Sequence, residues 1–356
     1  MPARTAARSP DELAFLRAIA EDLSRPLPQL VYCDWLEERG DPLGPFLREF
    51  LEACLDARPL PPDPPELPRV WAQVLGLSLR RALRKPPKPT TAKPATVNQF
   101  LAHEPAILRA TRPCVGMRMG KAQPLDRMPT GISRADGLPD LPAHEPWPMY
   151  PDRGREWPMQ FLFQVNLCDL QGTFAEELLP GAGLLSVFHY PLHEHVRRRV
   201  IHTSPTVPMF RAALPEPGHW EPRWAGTDQL QTATTHPLTF TDVCPIPNGV
   251  DWGPASGAAA RQELHDGFFA YRNSLPVALA VPAHLLCRTW HPECCSTWCA
   301  LRDKLPPGHF KFAELGSHEV PDGWGFGDGA HLHVFAPLGD AKVGNFDNVM
   351  TTEYAS

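Results

Sequence analysis

Proline occupies 44 of the 356 positions, more than twice its usual share of about 5%. Each proline fixes φ and removes a backbone donor, so long helices and central strands have few places to run. The chain is therefore expected to fold into short regular elements joined by much loop. A core is affordable all the same, since 43% of residues are hydrophobic and 21% charged, ordinary proportions for a globular protein. The length suits two domains at ~150 residues each. A net charge of −6 gives no electrostatic case for nucleic acid or an anionic membrane as partner. No apolar stretch follows Arg4 and Arg8, so no secretory signal is expected. The most apolar run, 275–287, is short and holds Pro276, Pro282 and His284, whereas a membrane helix needs ~20 apolar residues. Nine cysteines is an odd number, and Cys33, Cys54, Cys114, Cys168 and Cys244 stand singly. That is no disulfide framework, and a reducing cytoplasm is the expected compartment.

The first 84 residues read as helical. Ser9-Pro10-Asp11-Glu12 is a helix start: a hydroxyl cap, proline in the first turn, then acids at the positive end of the dipole. Leu13, Leu16, Ile19 or Ala20, and Leu23 continue it at helical spacing. A second helix is expected over 30–39, burying Leu30, Val31 and Trp35 and ending on Gly40. A third begins after Asp41-Pro42 with Phe46, Leu47, Phe50, Leu51 and Leu55 inward. Residues 58–68 are proline-rich, and a fourth helix is expected over 70–84. Residues 85–95, KPPKPTTAKPA, form a basic, extended, solvated linker, which marks the boundary between a domain at 1–84 (core 9–57) and one at 96–356.

Beyond the linker a helix around 97–109 leads into β-type runs punctuated by Gly and Pro. Two of them match. Gln160–Asn166 is followed by 181–188, which ends in Val187-Phe188. His309–Leu315 is followed by 328–335, which ends in Val334-Phe335. The offset is close to 150 residues. The expected fold is thus α+β: a small N-terminal helical domain, and a larger sheet-dominated domain holding an internally duplicated strand–turn–strand unit. The pattern of 193–260 yields no assignment.

Two resemblances bear on this division. Leu30-Val-Tyr-Cys-Asp-Trp-Leu-Glu-Glu-Arg-Gly-Asp-Pro42, with 12–20 before it and Phe46-Leu-Arg48 after it, resembles a bacterial helical repeat-companion domain; Cys33 stands where that pattern has a small residue. It covers about 9–57, and that family carries no established activity. The larger domain resembles the uncharacterised bacterial YwqG-like family. The residues that carry this are Gly137-Leu-Pro-Asp-Leu-Pro142, Trp157-Pro158 ahead of 161–167, Leu179-Pro-Gly-Ala-Gly-Leu-Leu185, Trp324-Gly-Phe-Gly-Asp-Gly329 and Asn345-Phe-Asp-Asn-Val349. The resemblance spans about 110–356 except 193–260, and implies a sheet-dominated α+β fold but no reaction.

Two constellations could carry chemistry. His284, Cys287, His291, Cys294, Cys295 and Cys299 lie within sixteen residues, and thiolate with imidazole is the ligand set zinc prefers. Cys287, His291, Cys294, Cys295 and Cys299 are the candidate ligands of a structural zinc; no C-x-x-C pair is present, and buried small hydrophobes explain the cluster as well. His331 and His333 share a strand face by their spacing, while His189, His193 and His195 end the equivalent unit of the first half. His189, His193, His331 and His333 are the candidates for a metal-assisted catalytic centre, against the plain expectation of solvated histidines on half-exposed strands. Gly325-x5-His331-x-His333 is similar to a cupin metal motif, but its downstream Glu is missing. Glu176-Glu177 and Arg197–Arg199 read as solvated surface. Nucleophile-elbow, Walker, dinucleotide-binding and zincin motifs are absent from the sequence. Trp147, Tyr150, Trp157, Phe161 and Phe163 suit a core, with those at strand junctions able to line a recognition groove. The function expected from all this is a non-enzymatic intracellular module binding a protein partner. A metal-dependent hydrolase and a zinc-stabilised structural protein stand as alternatives, and no organic cofactor is expected.

Overall fold

A computed structural model describes residues 9–56, 58–62, 75–84, 103–111, 114–152, 154–173, 176–190, 197–215, 233–243, 283–287, 308–316 and 330–355. The chain divides into two compact units. The first takes Met1–Cys114 with 242–281 and 291–297; the second takes 115–241, 282–290 and 298–356.

The first unit is helical among its described residues. Helix α1, Pro10–Glu21, starts as its sequence dictates: Ser9 Oγ accepts the Glu12 amide at 3.2 Å, and Pro10 opens the first turn. Helix α2, Pro26–Glu38, begins four residues before the expected start, because Pro26 supplies a first-turn residue that needs no amide partner. Its inward row is Gln29, Tyr32, Cys33 and Leu36, so Val31, expected to be buried, is 42% exposed. Gln29 sets this rotation by donating Nε2 to the Leu23 carbonyl at 3.0 Å. Burial is also what pushes the Cys33 thiol up to about 12. Gly40 then ends the turn at φ +66°. Helix α3, Leu43–Leu55, buries Leu47, Phe50, Leu51 and Ala53 but leaves Leu55 exposed. Helices α4, Leu77–Arg84, and α5, Glu104–Ala110, are the described parts of the two further expected helices; 70–74 and 97–102 lie outside the described residues. Arg80 holds this unit together: it pairs with Glu104 at 3.1 Å and donates to the Leu23 carbonyl at 3.0 Å, both side chains being buried.

The second unit is built on strands β1 Cys114–Met119, β2 Gln123–Pro124, β3 Arg134–Ala135, β4 Asp140–Pro142, β5 Met149–Asp152, β6 Arg155–Pro158, β7 Gln160–Asn166, β8 Leu184–Tyr190, β9 Arg197–Thr203, β10 Met209–Arg211, β11 Thr234–Val243, β12 Ala283–Cys287, β13 His309–Gly316, β14 Ala330–Pro337 and β15 Met350–Ala355, with helix α6, Leu338–Lys342, after β14. Ten form one path, β15-β14-β13-β12-β1-β11-β3-β7-β8-β9, with β2 added on β11. Every register known along it is antiparallel.

The path is the duplication. Counted inward from its two ends, β9, β8, β7 and β3 match β15, β14, β13 and β12. The β7–β8 register breaks between Phe161 and Phe163, opposite Val187-Phe188. The β13–β14 register breaks between Lys311 and Ala313, opposite Val334-Phe335. The same bulge therefore recurs in both halves, as a repeated unit requires. The leading strands are exchanged: β1, which precedes the first half, pairs with β12, while β11, which precedes the second, pairs with β3. The sheet curls around one core that draws on both halves, including Phe163, Val187 and Val200 with Phe312, Val334 and Leu332. Arg199 of β9 reaches Asp347, close to β15, at 3.3 Å.

Three strands fall in the stretch that the sequence pattern leaves unassigned. Arg197–Arg199, expected as solvated surface, is part of β9, and Arg198 is only 9% exposed. Strand alternation accounts for this, since one of three successive arginines must face inward. Glu176 caps a 3-10 turn, its carboxylate accepting the Gly172 amide at 2.6 Å.

The two kinds of ion pair in the first unit should separate under mutation. Arg80→Ala leaves Glu104 buried without its guanidinium and is expected to cost about 3–5 kcal/mol. Arg48→Ala breaks pairs with Asp34 (2.5 Å) and Glu37 (2.8 Å) whose side chains are 30–61% exposed, and should cost under about 1 kcal/mol. Denaturant titration of the two variants checks both.

Candidate functional site

A densely hydrogen-bonded polar group, the most organised among the described residues, sits on the outer face of the first half of the sheet. Asp136 and Gly137 both have positive φ (66° and 79°), a tight Asp-Gly turn that folds the chain back after β3. The turn brings the Asp136 and Leu138 carbonyls onto the Arg134 guanidinium. A Cβ on Gly137 would meet the Thr234 carbonyl oxygen at 3.0 Å, so glycine is needed there on two counts.

Asp140, wholly buried, is the centre. Its carboxylate accepts from Arg211 Nε (2.7 Å), Gln164 Nε2 (2.7 Å) and the Gly131 amide (2.9 Å), and lies 3.2 Å from Arg134 Nη2. Gln164 also receives the Asp140 amide at 2.9 Å and donates to the Ile132 carbonyl at 2.8 Å. Arg211 Nη1 and Nη2 close on the Leu125 and Met128 carbonyls at 3.0 and 3.2 Å. Burial by itself would raise the Asp140 pKa, but Arg134, Arg211, Gln164 and the Gly131 amide outweigh it and hold it below the ordinary carboxylate value. Burial, with Arg211 nearby, brings Arg134 down to about 10, while Asp140 works the other way. Asp140 and Arg134 are therefore both charged near neutrality, and this pair offers no acid or base at that pH. It is a fastener.

What it fastens is an aromatic platform. The β4–β10 ribbon and the β5–β6 hairpin lie over a core of Leu141, Met159, Phe161, Phe188, Tyr190 and Ile201, with Trp147, Tyr150 and Trp157 half-buried against it. Trp147 Nε1 donates to the Met159 carbonyl at 2.8 Å, and Tyr150 packs on Tyr190 with ring centroids 4.6 Å apart. Phe210, on β10, is 58% exposed. Ala143, His144, Pro151, Arg155 and Glu156 are exposed around these rings.

The residues singled out from sequence fare differently. His189 is fully buried, directly opposite Gln160 on β7 and Arg198 on β9. It shares its face of β8 with Val187 and Leu185, two and four positions back, so it faces the interior of the curled sheet. His333 is 3% exposed and alternates with the core residues Leu332 and Val334, so it lies on the outer face, beside Phe335. Neither is the solvated strand histidine expected from sequence, because both faces of these strands are covered. Nor are the two brought together, since they occupy opposite faces. His193 and His195 lie outside the described residues, and of His331 only the backbone, on β14, is described. Cys287 is on β12, while His291, Cys294, Cys295 and Cys299 lie outside the described residues. Among the described residues no three His, Cys, Asp or Glu side chains gather as a metal site. Sequence reading passes over Arg134, Gln164 and Arg211. Gln164 carries a signal, as the lone polar residue amid Phe161, Leu162, Phe163 and Val165.

One comparison with known proteins falls on the same region. The model of a family described as a domain of unknown function (DUF1963) matches residues 133–209, the stretch from β3 to the start of β10 that holds Arg134, Asp140 and Gln164 of the fastener and the whole hairpin. The match is consistent with the YwqG-like resemblance. No curated protein matches the chain. Among the described residues no helix is long and apolar enough to cross a membrane. The class so defined is a sheet-dominated α+β protein with an uncharacterised domain, preceded by helices.

Asp140→Ala should destabilise the protein by about 3–5 kcal/mol, because the buried Arg134 guanidinium loses its carboxylate and the partly buried Arg211 loses it too; chemical denaturation measures it. His189 supplies a pH dependence. Burial first, and Arg198 second, lower its pKa well below 6.5, so the unfolded chain binds a proton that the folded one refuses. Its effect is absent above the unfolded pKa near 6.5 and erodes stability as pH falls below it. His189→Leu should flatten the decline in unfolding free energy between about pH 6.5 and 5, measured against wild type in the same buffers.

Proposed function

We propose that the chain is a non-enzymatic protein-interaction module of the reducing cytoplasm, in which the aromatic platform on the outer face of the sheet is the recognition surface. The observation that carries this reading is a polar cluster whose carboxylate and guanidiniums bind one another and fix exposed and half-buried rings in place. Such an arrangement favours binding, since rigid Trp, Tyr and Phe side chains supply contact area at little entropic cost and recur at interface hot spots. The sheet unit is read as YwqG-like and the first unit as a repeat-companion domain. The latter offers a second surface in Leu27, Val31 and Leu55, which are 69%, 42% and 63% exposed. Cys33, Cys54, Cys114 and Cys168 carry thiols rather than disulfides, which suits the compartment. A hydrolase built on His189 with His333 lacks a common centre, because the two lie on opposite faces.

A photo-crosslinking amino acid placed at Tyr150 or Phe210 of the full chain, in the cells that make it, tests the reading. One discrete polypeptide should be captured from both positions and lost when Trp157→Ala is added. It should not be captured from Lys121, an exposed residue outside the platform. Identical adducts at Lys121, or none at the platform, would overturn the assignment.

A further inference from the structure

The two ends of the strand path, β9 and β15, lie against each other where the curled sheet closes, and among the described residues no register pairs them. Side chains join them instead. Arg199 on β9 reaches Asp347 at 3.3 Å, but the two side chains are 48% and 73% exposed, and such pairs add little. His202, also on β9, is placed differently. Its direct partner on β8 is the core residue Leu185, and direct partners share a face, so the imidazole stands on the inner side of the sheet. There it occupies space that two glycines leave open. Towards the first half, a Cβ added to Gly183 would meet His202 Nε2 at 2.5 Å, and the same nitrogen lies 3.4 Å from the Ala182 carbonyl oxygen. Towards the second half, a Cβ added to Gly344 would overlap Nδ1 and stand 2.8 Å from Cε1.

We propose that His202 is a clasp: one imidazole, carried by the first half and received by the Gly344 turn of the second, that holds the curled sheet shut and makes this seam the place where the sheet opens. The receiving turn is fixed without any help from His202. Gly344 donates its amide to the Ala341 carbonyl at 3.0 Å, Asn345 donates to the Asp340 carbonyl at 2.9 Å, and the buried Phe346 packs on Phe312 with ring centroids 5.4 Å apart. The opposite wall is fixed as well, since the Gly183 carbonyl accepts the Leu167 amide at 2.9 Å. A ring fitted between two such walls makes an all-or-none contact, because close-packed atoms forfeit much of their attraction once a gap of roughly 0.5–1 Å appears. Elsewhere along the path, opening breaks several backbone hydrogen bonds of a ladder at once. At the seam, among the described residues, it frees one ring and one exposed ion pair, so local opening costs least there. The clasp also bears on the platform. Ile201, the neighbour of His202, faces the other way into the core beneath the aromatic rings, so β9 cannot leave the seam without disturbing that bed. This inference concerns closure of the sheet and does not rest on the protein-binding reading.

Hydrogen exchange of the full chain, read by mass spectrometry, tests the clasp. In the wild type, β9 and β15 should exchange together and faster than β1 and β11 in the middle of the path; equal protection of all four would overturn the proposal, and that result needs no variant to fold. His202→Ala should raise exchange on the order of tenfold in both 197–203 and 344–355 while β1 and β11 stay as they were. A rise spread evenly over the sheet, or confined to β9, would count against it. Gly344→Ala is the complementary change, and Gly172→Ala is its control: both glycines have positive φ (77° and 79°), but a Cβ on Gly172 would meet nothing within 4 Å. Gly344→Ala should lower the midpoint of denaturant unfolding further than Gly172→Ala does in the wild-type chain. In a His202→Ala background, where the new methyl has room, the two should cost the same. If Gly344→Ala is equally damaging with and without the imidazole, the two residues do not form a clasp.

Discussion

One carboxylate organises the outer half of the sheet. Asp140 has no exposed surface, yet it is held below the ordinary carboxylate range by two arginines, a glutamine and a backbone amide. A buried charge is tolerable only when its hydrogen-bonding capacity is filled, and each filler arrives from a different place. Arg134 comes from β3, Gln164 from β7, Arg211 from β10, and the Gly131 amide from the loop before β3. Satisfying Asp140 therefore fixes the β4–β10 ribbon against the sheet, and the aromatic hairpin that follows β4 inherits that position. Hydrophobic packing could hold these layers together, but it has no direction. The hydrogen bonds supply the register.

The rest of the sheet follows from repetition. Two copies of a bulged hairpin, each flanked by a strand on either side, would leave two separate edges near the middle of the path. Exchanging the leading strands β1 and β11 closes that gap and lets one core run through both copies. Once the halves are joined in this way, their outer faces can diverge without disturbing the core. The first half has taken a guanidinium lock and an aromatic platform; the second has His333 where the first has Ser186.

Much of the fold is legible in the chain, and the reasons are local. Ser9-Pro10 and Gly40 act within one helical turn, so α1 and the end of α2 can be read directly. The matching Val-Phe endings reveal the duplicated hairpins because the core face repeats. Hydropathy misplaces the rotation of α2, since Gln29 wins an inward place through one hydrogen bond to Leu23 that apolar spacing cannot register. The Asp140 cluster is harder still. Its members span 131 to 211, and nothing in Arg211 itself announces a partner 71 residues away. The burial of His189 is hidden for a similar reason: it depends on the curl of the sheet, which no local pattern encodes.

The exchanged strands also govern how the chain can be made. Strand β1, at 114–119, cannot meet β12, at 283–287, until the whole of the chain between them has left the ribosome. At synthesis rates of about 5–20 residues per second, that wait is on the order of ten seconds. Throughout it the nascent first half carries a β-strand edge whose partner does not yet exist, and an open edge of that kind recruits other chains. Such contacts between distant parts of the sequence are also the slow ones to form. The feature that gives the finished sheet a single core thus makes the growing polypeptide a client for protection until its last hundred residues appear.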